Sequence, residues 1–188
     1  MLFVLIATAL GGCAQPYIFR GTEIQPAKAA PDFTLTDQNG QPFTLSEQRG
    51  NVVLLFFGFT SCPDICPTTL ADIAAAREQL GQSARDVKVA LVTIDPERDT
   101  PQKLGTYVAR YDPSFIGLTG DRATIDPLLK TYGVGAIKRE MPESKLGYTY
   151  DHAAYIYLID RSGNWRAILP FGITPEDIAS DTAYLIRS

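Results

Sequence analysis

Soft metal-binding side chains are scarce in these 188 residues: one histidine, three cysteines and two methionines. Any site that needs an imidazole therefore has a single candidate. Acidic residues outnumber basic ones by 21 to 17, for a net charge of −4, and no cluster of Lys and Arg appears. Nucleic acid is thereby disfavoured as the main partner, because phosphate neutralisation needs clustered positive charge. Polar low-complexity runs are missing too, which argues against disorder. The uncharged run Met1 to Gly12 is too short to span a bilayer, which takes roughly 20 residues as a helix.

What is present suffices for one packed domain. Apolar residues make up 45% of the chain and charged ones 20%. A domain of this size buries about 70% of its unfolded surface, so neither metal nor disulfide is required merely to fold.

The first twelve residues have the length of a signal-peptide apolar region followed by small residues, Leu10-Gly11-Gly12, just before Cys13. The segment resembles a bacterial lipoprotein signal, in which that cysteine receives lipid. Residues 1–12 are thus expected to be a signal segment, with Cys13 as the lipidation site. Residues 13–30 are expected to be a tether without sustained hydrophobic period. Export would place the remaining chain, 31–188, in an oxidising compartment where a close cysteine pair can cycle.

From residue 31 the chain alternates strand and helix signals. Strands at 33–36 and 41–45 flank Asp37-Gln38-Asn39-Gly40, a turn with an Asn-Gly pair. The run 52–57 (VVLLFF) reads as a strand buried on both faces. A helix is expected over 67–80 with Gly81 as its stop, a strand over 87–94, and a helix capped by Thr100 with Pro101 at its first position. Further strands are expected at 115–118, 154–159 and 165–169. Helical signals cover 121–132, despite Pro127, and the stretch after Thr174. Residues 133–150 carry no regular pattern. This order predicts an α/β domain with a central mixed sheet flanked by helices and an N-terminal β-hairpin, the order of the thioredoxin-like fold.

The chemistry concentrates in Cys62-Pro63-Asp64-Ile65-Cys66-Pro67, where the buried strand meets its helix. Groups at such strand ends gather at functional sites in open sheets. With Pro67 as the first helical residue, Cys66 would sit at the N-cap, where the helix dipole lowers a thiol pKa. A purely structural disulfide is disfavoured, since closing so small a loop removes little unfolded-state entropy. Three functions compete. A thioredoxin-type oxidoreductase usually has two residues between its cysteines and a Pro facing them. Here there are three, and Asp151-His152-Ala153-Ala154 contains no Pro. A thiol peroxidase would want Thr at position 59, which is Phe. Metal binding is the third: Cys62, Cys66 and His152, 86 residues beyond Cys66, supply two sulfurs and one imidazole. No further Cys or His remains in the domain for a closed zinc site, and the set suits copper, especially Cu(I).

These segments, together with Thr93-Ile-Asp-Pro-Glu-Arg-Asp-Thr-Pro101 and Tyr150-Asp-His152 followed by Tyr157-Leu-Ile-Asp160, resemble the Sco/SenC family in order and spacing. The resemblance implies a membrane-tethered copper metallochaperone outside the cytoplasm, on the periplasmic side. It implies support for assembly of the binuclear copper site of cytochrome c oxidase, with that enzyme's copper-bearing subunit or another copper chaperone as partner. The family's copper ligands, for Cu(I) or Cu(II), fall on Cys62, Cys66 and His152, and Cys62 and Cys66 would form its redox disulfide. Two alternatives stay open: a thiol-disulfide reductase acting on cysteines of a copper protein, and a copper or redox sensor. The carboxylates of Asp95-Pro96-Glu97-Arg98-Asp99 could rim the cleft or solvate a loop, and they receive no role. Phe56, Phe57 and Phe59 are expected to be core.

Overall fold

The apolar run at 52–57 lies at the middle of the sheet, and the domain is built outward from it. The computed structural model describes residues 17–188. Residues 1–12 and Cys13, read above as signal segment and lipidation site, lie outside the described residues.

Strand β4 (Val52–Gly58), following β1 (Thr22–Ala29), β2 (Thr34–Asp37) and β3 (Pro42–Thr44), is buried along its whole length. It pairs in parallel with β5 (Val87–Thr93), which pairs in parallel with β6 (Ile116–Thr119). Parallel neighbours require crossovers. These are α1 (Ile65–Leu80) between β4 and β5, and α2 (Pro101–Val108) between β5 and β6. After α3 (Arg122–Thr131) come a separate hairpin, β7 (Ala136–Met141) with β8 (Gly147–His152), then β9 (Tyr155–Ile159), β10 (Asn164–Pro170) and α4 (Pro175–Arg187). Strand β9 runs antiparallel to β4, and the eight-stranded order is β1-β10-β9-β4-β5-β6-β2-β3. Helices α1 and α4 pack on each other. The expected thioredoxin-like α/β arrangement, with its mixed sheet and N-terminal hairpin, is the observed one.

Local chemistry sets the helix starts. Thr100, Asp121 and Thr174 each accept a hydrogen bond from the backbone N–H three residues on, the ordinary N-cap bond. Asp121 thereby starts α3 at Arg122, and the helix runs through Pro127. Helix α2 lies hard against β6 because Gly117 has no side chain: a Cβ there would come within 2.7 Å of Leu104 Cβ. Phe56, Phe57 and Phe59 are fully buried, as expected of core.

Three boundaries differ from the sequence reading. Part of the expected tether belongs to the sheet: β1 pairs antiparallel with β10, and Phe19 lies in the core. A backbone ladder and one carboxylate hold this segment, and neither leaves a periodic signal. Buried Asp181 on α4 accepts from the Arg20 N–H (3.1 Å) and the Tyr17 hydroxyl (2.7 Å). The domain therefore begins by residue 17 rather than 31. Helix α1 starts at Ile65 with Asp64 as N-cap, two residues before Pro67. The stretch 133–150 is mostly the β7–β8 hairpin. No helix among the described residues is long and apolar enough to cross a membrane.

A chain truncated to start at residue 31 would uncover the edge of β10 and strand Asp181. It should be less stable to urea than one starting at residue 17. Asp181→Ala in the longer chain should cost about 2 kcal/mol, the scale for orphaning buried hydrogen-bond partners. Equal midpoints for the two truncations would show that β1 adds nothing to the domain.

Candidate metal centre

The buried strand β4 delivers the chain to a turn at its carboxyl end, and the turn is tied down before it reaches the cysteines. Buried Asp99 accepts from the Thr60 backbone N–H (3.0 Å) and the Thr60 hydroxyl (2.5 Å), and also from the Thr93 hydroxyl at the end of β5 (2.7 Å). The Cys62 N–H then closes the turn on the Phe59 carbonyl at 3.2 Å. Cys66, the second residue of α1, is fully buried against the strand. Gly58 makes that possible, because a Cβ there would lie 2.8 Å from Cys66 Sγ.

His152 arrives from the other side, at the end of β8. Tyr148, Tyr150 and His152 alternate along this strand and so share one face. Phe59 meets two of them edge to face, with ring centroids 5.7 Å from Tyr150 and 5.8 Å from His152. The hairpin is then clasped by the loop after β5. Tyr148 donates to buried Asp95 (2.9 Å), which also pairs with Arg98. Arg98 donates to the Leu146 and Tyr148 carbonyls (2.9 and 3.0 Å) and lies 3.7 Å from the centre of the Tyr148 ring, while Lys138 Nζ sits 3.9 Å from the same ring centre. Arg122, paired with Glu97, donates to the Tyr150 hydroxyl at 3.1 Å.

The Asp95–Asp99 stretch, given no role above, therefore holds the cysteine turn and the histidine hairpin together. Sequence reasoning missed these positioning residues. The one available signal was the alternation Tyr148, Tyr150, His152, which begins inside the stretch 133–150 read as irregular.

The three predicted ligands meet. One donor atom each from Cys62, Cys66 and His152 lies within 4.8 Å of the other two. Cys66 Sγ and His152 Nε2 are 3.5 Å apart, and both cysteines are free thiols. His152 Nδ1 lies 3.1 Å from the Ala153 carbonyl. A carbonyl can only accept, so Nδ1 carries the proton of the neutral ring and Nε2 keeps its lone pair toward the sulfurs.

The thiols differ in kind, and the lowered pKa expected for Cys66 falls on Cys62 instead. Cys62 accepts a hydrogen bond from the Cys66 thiol, which lowers its pKa to about 4 against the opposing effect of burial; the Cys66 and Asp64 backbone N–H groups add to the lowering. Cys66 moves the other way, because it supplies that hydrogen bond and is buried. Helix α1 starts two residues too early for Cys66 to be the N-cap. Half-buried Cys62, just ahead of the helix, receives the amide groups instead.

Two soft sulfurs and an imidazole around one cleft fit a soft, low-coordinate cation. The cleft itself, about 360 Å³, is lined by residues 62–65 and 149–152. A family model described as SCO1/SenC matches residues 21–187. The SCO2-like protein of Rickettsia felis is 38% identical over 151 residues, covering 80% of this chain and 74% of that protein. The structure of Bradyrhizobium japonicum ScoI with copper bound matches with a TM-score of 0.76 at 39% identity, covering 84% of this chain and 99% of that one. BsSco, a member of the Sco family of cytochrome c oxidase assembly proteins in which a disulfide switch has been identified, matches with a TM-score of 0.67 at 28% identity over 90% of this chain and 98% of that one.

In the reduced, metal-free chain carrying Cys13→Ser, iodoacetamide should modify Cys62 well before Cys66. A thiolate persists above its pKa, so the Cys62 rate should hold nearly constant from neutral pH down to about pH 5. It should fall as the pH drops through about 4. A rate that instead rises tenfold per pH unit between 7 and 8 would mean an ordinary thiol. Arg98→Ala leaves Asp95 buried without its cation and should cost about 3 kcal/mol. Hydrogen exchange should quicken across 136–152 while β4 stays protected. Uniform quickening would show that the clasp serves the whole fold rather than the hairpin.

Proposed function

This chain belongs to the SCO1/SenC family, and from that premise we propose that it is a copper metallochaperone of the cell envelope, held at the membrane through lipid on Cys13 and serving assembly of the binuclear copper site of cytochrome c oxidase. The observation that carries the reading is the convergence of Cys62 Sγ, Cys66 Sγ and His152 Nε2 within 4.8 Å, with the imidazole proton held on the far nitrogen.

Copper is the cargo here. Cys62 offers a ready thiolate, Cys66 becomes a second on giving up its proton, and Nε2 completes a three-donor set that suits Cu(I). The copper-bound Bradyrhizobium relative supports this assignment. Ligands must be deprotonated to bind, so loading releases the Cys66 proton. Half-exposure of Cys62 leaves the cargo open to a partner's competing ligands, while buried Cys66 and the clasped hairpin keep the pocket shaped between loadings.

A second reading is favoured by the acidity of Cys62 and by the disulfide switch of BsSco. As a thiol-disulfide reductase, Cys62 would attack one sulfur of a partner's disulfide and release the other as a thiolate, and the Cys66 thiolate would then attack Cys62 Sγ and displace the first. Two electrons pass to the partner, whose disulfide becomes a dithiol, and Cys62–Cys66 becomes the disulfide. That same oxidation would withdraw both sulfur ligands and so discharge copper.

Anaerobic titration of the reduced chain with Cu(I) against a competing chelator should reveal one tight equivalent. Cys62→Ser and His152→Ala should each weaken it by about two orders of magnitude or more, since even loss of an outer hydrogen-bond partner to a metal ligand costs 10- to 100-fold. Affinity unchanged by either substitution would overturn the chaperone reading. Sustained turnover of a disulfide substrate after complete copper removal would favour the reductase.

A further inference from the structure

A second depression adjoins the cysteine turn and shares no residue with the cleft between Cys62 and His152. It has a volume of about 430 Å³. Lys103, Thr106, Tyr107 and Arg110, spaced along α2 and the turn beyond it, form one wall, and Thr60 and Ser61 form the other. Ser61 immediately precedes Cys62, so a molecule resting here lies alongside whatever engages that sulfur.

The chemistry of the lining has one sign. Two of its side chains are cationic, the others are uncharged, and none is a carboxylate. Asp99, which approaches the turn from beneath, is fully buried and already accepts from Thr60 and Thr93. The Arg110 guanidinium makes no hydrogen bond or ion pair with a described residue, and Lys103 Nζ reaches only the Arg98 carbonyl at 3.2 Å. The N-terminal end of α2 adds its own partial positive charge.

Across Cys62 the sign reverses. The cleft toward the hairpin carries Asp64 and Asp151, the latter paired with Arg139. The surroundings of the half-buried Cys62 are thus polarised, basic toward α2 and acidic toward the hairpin, in a chain that is acidic overall. Complementary charge orients an encounter more than it adds raw affinity.

We propose that the α2 pocket binds an acidic segment of the partner protein, taking its Asp or Glu carboxylates between Lys103 and Arg110 and so presenting the partner's adjacent thiol to Cys62. The inference rests on the reading of Cys62 as the point of exchange with a partner. It adds the partner's chemical character beside its thiols.

The probe is a pair of peptides, each with one cysteine as its 2-thiopyridyl disulfide, flanked by Glu in one and Lys in the other. In the full chain carrying Cys13→Ser, Cys62 attacks the peptide sulfur. A Cys62–peptide S–S bond forms as the peptide–thiopyridyl bond breaks, and the released thiolate takes a proton to give the absorbing thione. At low ionic strength the Glu peptide should react about tenfold faster than the Lys peptide, and added salt should erase the difference. The double substitution Lys103→Glu, Arg110→Glu should invert the order, and Lys103→Gln, Arg110→Gln should bring the ratio near one. Uncharged 2,2′-dithiodipyridine should react equally with all three forms, which shows the turn intact. Equal rates for the two peptides in the unsubstituted pocket, or an acidic preference that survives both double substitutions, would overturn the proposal. Cu(I) titration of the same proteins reports on the chaperone reading alone, so the two failures are distinguishable.

Discussion

Two buried carboxylates four residues apart, Asp95 and Asp99, are the constraint on which the site depends. Each sits beyond the end of β5 and reaches in a different direction: Asp99 to the turn that carries Cys62, Asp95 to the hairpin that carries His152. A buried carboxylate is tolerated only where hydrogen bonds or a cation answer it. That requirement works in reverse on the partners. Thr60, Tyr148 and Arg98 are held because letting go would strand a charge, and the separation between sulfur and imidazole follows from one short loop.

The hairpin needs this arrangement because it is not part of the main sheet. Strands β7 and β8 pair only with each other, and a lone two-stranded ribbon is marginal in water. Its order comes from side chains: Tyr148 between Arg98 and Lys138, Tyr150 under Arg122, and Phe59 beneath Tyr150 and His152. The cysteines are anchored differently, by a strand and a helix at the centre of the fold, with Gly58 leaving room for the Cys66 sulfur. Two ligands thus ride on the most stable element and the third on an attachment.

That division also explains what could be read from the sequence. Hydrophobic runs marked β4, β5 and β9, and capping residues marked α2 and α4, because burial and capping leave local patterns. The ligand trio was legible because soft side chains are so few. The loop 95–99 was visible as charge but not as structure, since its partners Thr60 and Tyr148 lie 39 and 53 residues away from Asp99 and Asp95 respectively. Strand β1 was read as tether for a related reason: its pairing with β10 and the hold of Asp181 on Arg20 span most of the chain. The start of α1 was displaced by giving Pro67 the first helical position, whereas Asp64 occupies the N-cap position without a side-chain capping bond and so left no signal.

Moving that helix start by two residues changes the chemistry of the pair. Were Cys66 the N-cap, the more acidic sulfur would be the sealed one, and a partner would meet a protonated thiol at the surface. With α1 beginning at Ile65, the amide groups and the Cys66 thiol all donate to Cys62, so negative charge gathers on the sulfur that solvent and partners can reach. Exposure and nucleophilicity then coincide at one atom, while the buried partner supplies either a second ligand or the closing half of a disulfide. Metal release and disulfide exchange would both begin at Cys62, which is why a single site can support either reading and why the charges flanking that sulfur govern which molecules approach it.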